Sequence, residues 1–272
     1  MNHDKMDSRA RKRALVFALL IGFSPVVTGL LVLDFQLEKQ LENEASHATR
    51  EGLRLIENVL RPVAETNSAL MSIAGQACVT AVPKLREQAI SQKNLRSLLL
   101  VSDNNIYCSS LFGELDLPLN PGDFFNRTLW LRAGNEVTPD RAVLYYRTYE
   151  HPYGVVSLIE GSTLRNMLAN LRADVKLSLE FGPNYLDSDG NVREGKTDER
   201  EEFHLRIASQ DFGFAVHGGY PSGTHWEAFK ARATSTASSL LLVGIFTGGS
   251  VFWLAGAAQH RRRAPKEGGL GS

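Results

Sequence analysis

Cys78 and Cys108 are the residues of this sequence best suited to chemistry, and they are its only two cysteines. In an oxidising compartment, a pair of thiols with no third thiol available forms a disulfide. Closing their separation of 30 residues would stabilise the fold by about 3.5–4 kcal/mol in the chain-entropy model. Such a bond is either a structural cross-link or a redox switch, and the two residue types alone leave both interpretations open.

Other chemistry has little support in the sequence. The seven histidines show no paired metal-ligand spacing, so we predict no metal site. The segment Asp187-Ser188-Asp189-Gly190 resembles the start of a calcium loop, but the downstream ligands are missing and a plain turn is expected. The sequence has neither a glycine-rich phosphate loop nor a nucleophile with an evident base, and no cofactor is predicted.

Two uncharged apolar runs, residues 14–33 and 237–258, define the compartment of the cysteines. A helix rises about 1.5 Å per residue, so either run is long enough to span the roughly 30 Å hydrocarbon core of a bilayer. Proline at position 25 is tolerated in a membrane helix. The runs therefore predict two transmembrane helices that enclose a folded domain, residues 34–236.

The formal net charge of zero hides an uneven distribution of charge. Lysine and arginine dominate the two tails, residues 1–13 and 259–272, whereas acidic residues are in surplus between the apolar runs. The positive-inside rule then places both tails in the cytoplasm and residues 34–236 across the membrane. The balanced charge also argues against a nucleic-acid partner.

A cleaved signal peptide is the main alternative for the first apolar run. The apolar region of a signal peptide is usually about 7–15 residues long and ends at a small-residue cleavage site. The nearest small-x-small triplet, Ser46-His47-Ala48, lies too far downstream. We therefore expect the first helix to be retained.

Gly244 and Gly248 have the small-xxx-small spacing that lets two membrane helices approach closely. We predict a helix–helix contact at this pair of glycines, and a homodimer that forms through the transmembrane helices.

Between the apolar runs, the sequence predicts an α+β domain. Apolar residues recur every three or four positions over residues 37–74, which indicates an amphipathic helix that continues out of the membrane and that Pro62 kinks or divides. A second helix is predicted after Pro83, up to about residue 92. Residues 95–110 read as a hairpin that turns at Asp103-Asn104-Asn105, because these residues tolerate the left-handed backbone of tight turns.

The remaining pattern predicts more antiparallel strands around one inserted helix. A second hairpin is expected over residues 142–149 and 153–160, with His151-Pro152 at the turn, and Ser162 is the expected N-cap of a helix through residue 171. Further strands are predicted at residues 175–181, 202–208 and 212–218, with residues 187–198 as a polar loop. This order of elements resembles a PAS- or Cache-like sensor fold with a long N-terminal helix.

The sequence Tyr107-Cys108-Ser109-Ser110 contains a Cys-Ser-Ser triplet at the end of a predicted strand, with Cys78 upstream and a membrane helix on each side. This combination resembles the CSS-motif sensor domain of bacterial cyclic-di-GMP phosphodiesterases over residues 10–260. The resemblance implies an inner-membrane protein in which a disulfide between Cys78 and Cys108 keeps the phosphodiesterase activity low and free thiols release it. It also implies the periplasmic thiol-oxidising machinery as a partner. Ser109 and Ser110 match the motif, for which only local hydrogen bonding to backbone is expected.

The family continues after the second helix into an EAL phosphodiesterase domain, whereas the sequence contains no Glu-Ala-Leu. We therefore expect this chain to have no phosphodiesterase activity of its own and to act on an EAL domain in cis or in trans. A Cache-like receptor for a small molecule, with a purely structural disulfide, is the alternative. A third possibility is an assembly protein that dimerises with full-length relatives.

Overall fold

A computed structural model describes residues 2–133, 142–171, 174–195 and 202–263. Residues 264–272 of the predicted basic tail and residues 196–198 of the predicted polar loop lie outside this range. The chain divides into two compact units, one formed by residues 1–41 with 223–272 and the other by residues 42–222. One helix, α1 (Asn2–Leu70), belongs to both units, and it is followed by α2 (Cys78–Ser91), α3 (Gly161–Ala169) and α4 (Thr224–Arg263).

The first unit consists of the N-terminal part of α1 and the whole of α4. Within the described residues, two helices are long and apolar enough to cross a membrane. Large apolar side chains on their surface are exposed, such as Phe17 at 66% and Phe246 at 73%. Exposure of this kind is expected for side chains that face lipid rather than water. Both helices are longer than their apolar runs. Helix α1 continues past residue 33, and α4 begins well before residue 237.

Gly244 and Gly248 contact the N-terminal part of α1 in the same chain. A Cβ atom on Gly248 would lie 3.0 Å from the backbone oxygen of Ala18, and one on Gly22 would lie 2.9 Å from the backbone oxygen of Gly244. Both α4 glycines therefore permit a close backbone approach between α1 and α4. The homodimer expected through these helices stays a prediction.

The second unit contains two antiparallel sheets. The first has the strand order β3-β2-β1-β6-β5-β4 and the second the order β10-β11-β7-β8-β9. The strands of the first sheet are β1 (Leu95–Ser102), β2 (Asn105–Ser109), β3 (Gly113–Pro118), β4 (Leu129–Arg132), β5 (Val143–Glu150) and β6 (Tyr153–Glu160). Those of the second sheet are β7 (Lys176–Phe181), β8 (Asn184–Leu186), β9 (Val192–Glu194), β10 (Glu202–Ala208) and β11 (Ala215–Tyr220).

This arrangement confirms the predicted combination of a long N-terminal helix with antiparallel strands, and it confirms both predicted hairpins. Asp103 and Asn104 adopt φ values of +48° and +62° at the first turn, in the left-handed region that these residue types tolerate. The prediction that strand 212–218 begins at Phe212 was wrong by three residues. The predicted polar loop contains the short strand β9.

The predicted boundaries of three helices were also wrong. Helix α1 is continuous through Pro62, which excludes a division there and leaves the predicted kink a prediction, and α2 begins at Cys78, so that Pro83 lies inside it. Proline removes one hydrogen bond from a helix interior, and tertiary packing of the neighbouring residues outweighs that loss. Ser162 lies inside α3, whose N-cap is Glu160 and has no side-chain cap hydrogen bond.

The C-terminal half of α1 packs against both sheets. Next to the second sheet, Gly218 of β11 lies so close to Thr49 that a Cβ atom at position 218 would collide with the threonine hydroxyl. Next to the first sheet, the fully buried Asn67 donates hydrogen bonds to the backbone oxygens of Tyr146 (3.1 Å) and Val155 (3.2 Å) and accepts one from Ser157. Because buried polar groups are costly unless they are paired, Asn67 fixes the position of α1 on β5 and β6.

We expect Asn67→Ala to lower the free energy of unfolding by about 2–3 kcal/mol, since it leaves buried backbone oxygens without a donor. Urea denaturation of the full chain in detergent, followed by circular dichroism, measures the change. The control is Ser68→Ala, which removes an exposed hydroxyl that bonds only to the backbone of the same helix, and it should change stability by less than about 0.5 kcal/mol. Equal stability of the two variants would show that Asn67 does not position α1.

Candidate functional site

Cys78 and Cys108 form a disulfide in the structure, with their Cα atoms 5.3 Å apart. Cys78 is the first residue of α2, and Cys108 lies in β2. The side chains are 5% and 0% exposed. The bond therefore ties the start of a helix to the sheet beneath it and is almost completely shielded from water.

An extra residue in β2 determines which way Cys108 points. In the β1–β2 ladder, Cys108 is opposite Leu100 and Ile106 is opposite Val101, so that Tyr107 is the unpaired residue of a β-bulge. Residues two apart in a regular strand point to the same face, whereas the bulge places Ile106 and Cys108 on opposite faces. Ile106 packs on the face away from α2, and Cys108 packs on the face that α2 covers.

The disulfide lies within a single apolar cluster that includes parts of three other elements. Buried members of this cluster come from the end of α1 (Leu70), from β1 (Leu98) and from β6 (Val155). Because core side chains fill their space closely, a change in the distance between the two sulfur atoms must be accommodated by these neighbours. The disulfide is thus packed against α1, α2 and the first sheet.

Ser109 and Ser110 form hydrogen bonds around the end of β2. Ser110 pairs with Leu98, because its hydroxyl accepts the Leu98 backbone N–H (3.0 Å) and its own N–H donates to the Leu98 backbone oxygen (2.8 Å). The Ser109 hydroxyl accepts the backbone N–H groups of Leu111 (3.1 Å) and Phe112 (3.4 Å), which stabilises the turn after β2.

Two further contacts connect the motif to neighbouring elements. Arg86 of α2 donates its Nε–H to the backbone oxygen of Ser110 (2.9 Å), so α2 is attached to the end of β2 by a hydrogen bond as well as by the disulfide. The Tyr107 hydroxyl accepts the backbone N–H of Gly75 (2.8 Å) in the connection from α1 to α2. Burial raises the pKa of Tyr107, so the hydroxyl is neutral and keeps its proton at physiological pH.

Arg147 is a buried cation that the sequence pattern did not reveal. It lies on β5 and is 6% exposed; its guanidinium donates to the Asn104 side chain (2.9 Å) and stacks 4.2 Å from the ring of Tyr149. Burial lowers the pKa of Arg147. The residue fixes the turn between β1 and β2, and with it the hairpin that carries Cys108.

A cavity of about 730 Å³ lies on the face of the first sheet opposite the disulfide. Aromatic side chains of Trp130 and Tyr145 line it, as do the guanidinium of Arg132 and the motif residue Ser109. A cavity of this size and mixed lining is large enough for a small organic molecule. No group of three or more metal-ligating side chains occurs among the residues that the structure describes.

A family profile described as "CSS motif domain associated with EAL" matches residues 41–231 of this chain. The probable cyclic di-GMP phosphodiesterase PdeD of Escherichia coli (strain K12) is 27% identical over 248 residues, which cover 84% of this chain and 43% of PdeD. PdeN, described in the same words and from the same strain, is 32% identical over 89 residues, which cover 30% of this chain and 17% of PdeN. The chain thus spans less than half the length of the curated relatives it matches.

Two solved domains superpose on part of this chain. The sensory domain of the Campylobacter jejuni chemoreceptor Tlp3 superposes with a TM-score of 0.45 at 11% identity, covering 70% of this chain and 97% of the Tlp3 chain. The periplasmic domain of RsbU from Chlamydia trachomatis has a TM-score of 0.42 at 12% identity, covering 71% of this chain and 95% of its own.

We expect Cys78→Ala and Cys108→Ala each to lower the free energy of unfolding by about 3–4 kcal/mol, because either one removes the same cross-link from the unfolded chain. The double variant should lie within about 1 kcal/mol of the single variants, since the bond is lost only once. Urea denaturation in detergent measures all three, and dithiothreitol should destabilise the wild type alone. Additive losses in the double variant would contradict this account of the pair.

Proposed function

Because the chain belongs to the family of CSS-motif domains associated with EAL, we propose that it is the membrane-bound, redox-responsive sensory region of a cyclic-di-GMP phosphodiesterase. The observation that carries the proposal is the disulfide between Cys78 and Cys108, which lies where α1, α2 and the first sheet meet. A bond in that position changes the packing of several elements when it opens, whereas a bond within a surface loop would affect only the loop.

The proposed switch has an oxidised and a reduced state. In the oxidised state, the disulfide holds the start of α2 against β2, and the Arg86 hydrogen bond holds α2 about two turns further along. Reduction adds two electrons and two protons, breaks the S–S bond and leaves two thiols in the apolar cluster. The Arg86 hydrogen bond and the apolar contacts of α2 then remain, whereas the start of α2 loses its covalent attachment to the strand.

Helix α1 provides the connection from the switch to the membrane. It is continuous from Asn2 to Leu70, and Leu70 packs in the cluster that surrounds the disulfide. A change in the packing of its C-terminal end therefore acts on the same helix that carries the first apolar run. In this proposal, the shift alters how the two apolar helices pack and thereby the activity of an EAL domain, in cis or in trans, inside a homodimer.

The proposed location is the bacterial inner membrane, with both termini in the cytoplasm and residues 34–236 in the periplasm. Two apolar helices that flank a sensor domain of periplasmic type support this location, as does the basic composition of both tails. Re-oxidation requires a periplasmic dithiol oxidase. Its disulfide accepts the two electrons and two protons of the Cys78 and Cys108 thiols and becomes a dithiol.

A receptor for a small molecule is the second candidate, and the cavity of about 730 Å³ next to Ser109 favours it. In that case the disulfide is a structural cross-link. A molecule that binds in the cavity should then raise the melting temperature of the wild type and of the double cysteine variant equally, because binding would not depend on the bond.

A chimera tests the redox proposal. Residues 1–263 of this chain replace the aligned N-terminal region of PdeD, and hydrolysis of cyclic-di-GMP is measured in membranes before and after treatment with dithiothreitol. We expect reduction to raise the rate by about fivefold or more, the lower end of typical coupling between sites.

The matched control is the same chimera with Cys78→Ala and Cys108→Ala. Its rate should equal that of the reduced chimera and should not respond to dithiothreitol, which excludes an effect of the reductant on the catalytic domain itself. Equal rates of the oxidised, reduced and cysteine-free chimeras would reject the redox switch.

A further inference from the structure

His204 and His217 lie side by side on the second sheet, although they are separated by 13 residues in the sequence. His204 is on the edge strand β10, and His217 is on the neighbouring strand β11. The Nε2 atom of His204 is 3.0 Å from the Nδ1 atom of His217, and the two rings stack with their centroids 5.2 Å apart. His217 is 5% exposed, whereas His204 is exposed to solvent.

Hydrogen bonds determine which nitrogen of His217 carries a proton. The Nε2 atom is 2.6 Å from Oε2 of Glu180, whose carboxylate also accepts two hydrogen bonds from Arg206, at 2.7 and 2.9 Å. A guanidinium has donors only, so both contacts with Arg206 use the Glu180 carboxylate as the acceptor. Nε2 of His217 therefore donates to it.

The second nitrogen of His217 consequently faces His204 with a lone pair. A neutral imidazole has one N–H, so the proton on Nε2 leaves Nδ1, 3.0 Å from His204 Nε2, as an acceptor. When no metal ion is bound, His204 donates its Nε2 proton to this lone pair. When His204 carries its proton on the outer nitrogen, Nδ1, instead, two lone pairs face one point between the rings.

The geometry points to a chelating site in which His204 Nε2 and His217 Nδ1 bind a divalent transition-metal ion, Cu²⁺ in preference to Zn²⁺ or Ni²⁺. With metal–nitrogen distances of about 2.0–2.1 Å, two nitrogens 3.0 Å apart subtend an angle of about 95° at the ion. Imidazole suits these ions, and Cu²⁺ has the highest affinity among divalent first-row metals for a given set of nitrogen ligands.

The neighbouring residues fit this site. Glu180 holds the ring of His217 in place by accepting a hydrogen bond from its Nε2 atom. Carboxylates orient metal-binding histidines in the same way. The positive charge of Arg206 is balanced by the same carboxylate. The ion gains access through the exposed side of His204, and water completes its coordination shell.

A bound ion would connect the edge strand β10 to β11, the strand that lies against α1 through Gly218 and Thr49. Both strands belong to the same compact unit. The site is separate from the disulfide, since it is formed by the other sheet, and it does not depend on the redox proposal.

Titration of the full chain in detergent with Cu²⁺, at pH 7.4 and without a purification tag, tests the site. All proteins carry His3→Gln, because a free amino terminus with histidine at position 3 binds Cu²⁺ by itself. We expect one equivalent of Cu²⁺ to bind with nitrogen hyperfine structure in the electron paramagnetic resonance spectrum. His204→Gln should weaken binding at least tenfold.

Two further variants complete the test. Glu180→Gln should weaken binding by about tenfold, the lower end of the effect of removing a partner that orients a ligand. His151→Gln removes a histidine at the turn between β5 and β6 and should leave binding unchanged. Because His204 is exposed, its variant is expected to remain folded, which circular dichroism verifies. Cu²⁺ affinity that is equal in the His204→Gln variant and its parent, or no binding at 100 µM Cu²⁺, would overturn the proposal.

Discussion

The single extra residue in β2 is the constraint on which the arrangement of the disulfide depends. A regular strand would place Cys108 on the same face as Ile106, away from α2, whereas the bulge at Tyr107 turns it towards Cys78. The same residue uses its hydroxyl to bind the backbone of Gly75, in the connection that leads to α2. Bulges bend strands and redirect side chains, and this one brings both cysteines into one apolar cluster with the end of α1. The geometry of the bulge therefore affects strand pairing, helix packing and disulfide formation together.

Both polar contacts and the disulfide attach the helices to the first sheet. Asn67 anchors α1 through buried hydrogen bonds to β5 and β6, and neither bond involves a cysteine. In the proposed reduced state, the Arg86 hydrogen bond would still attach α2 to the backbone of Ser110. In the proposed switch, reduction loosens α2 and changes the packing of the end of α1 within a folded domain, as a reversible signal requires. Because a closely packed apolar cluster does not deform continuously, we expect the proposed switch to alternate between two packings of the cluster.

Long elements with clear patterning could be predicted from the sequence, whereas features created by the fold could not. The two apolar runs, the amphipathic helix and the turn at Asp103-Asn104 were recognisable because each has a local physical signature. Pro83 misled the prediction of α2, since tertiary packing retains a helix across a proline. The motif pointed to Cys108, but the bulge that orients it depends on pairing with β1. His204 and His217 had no ligand spacing along the chain, because only the register of two strands brings them together.

Hydrogen exchange of the backbone amides in the oxidised and the reduced protein tests the central claim most directly, because it reports local opening residue by residue. If the disulfide holds α2 on the first sheet, reduction should lower the protection of the amides of α2 and of the last turns of α1. The central strands β7 and β11 of the second sheet should exchange at the same rate in both states. Unchanged protection in α2, or an equal loss of protection in both sheets, would contradict the account.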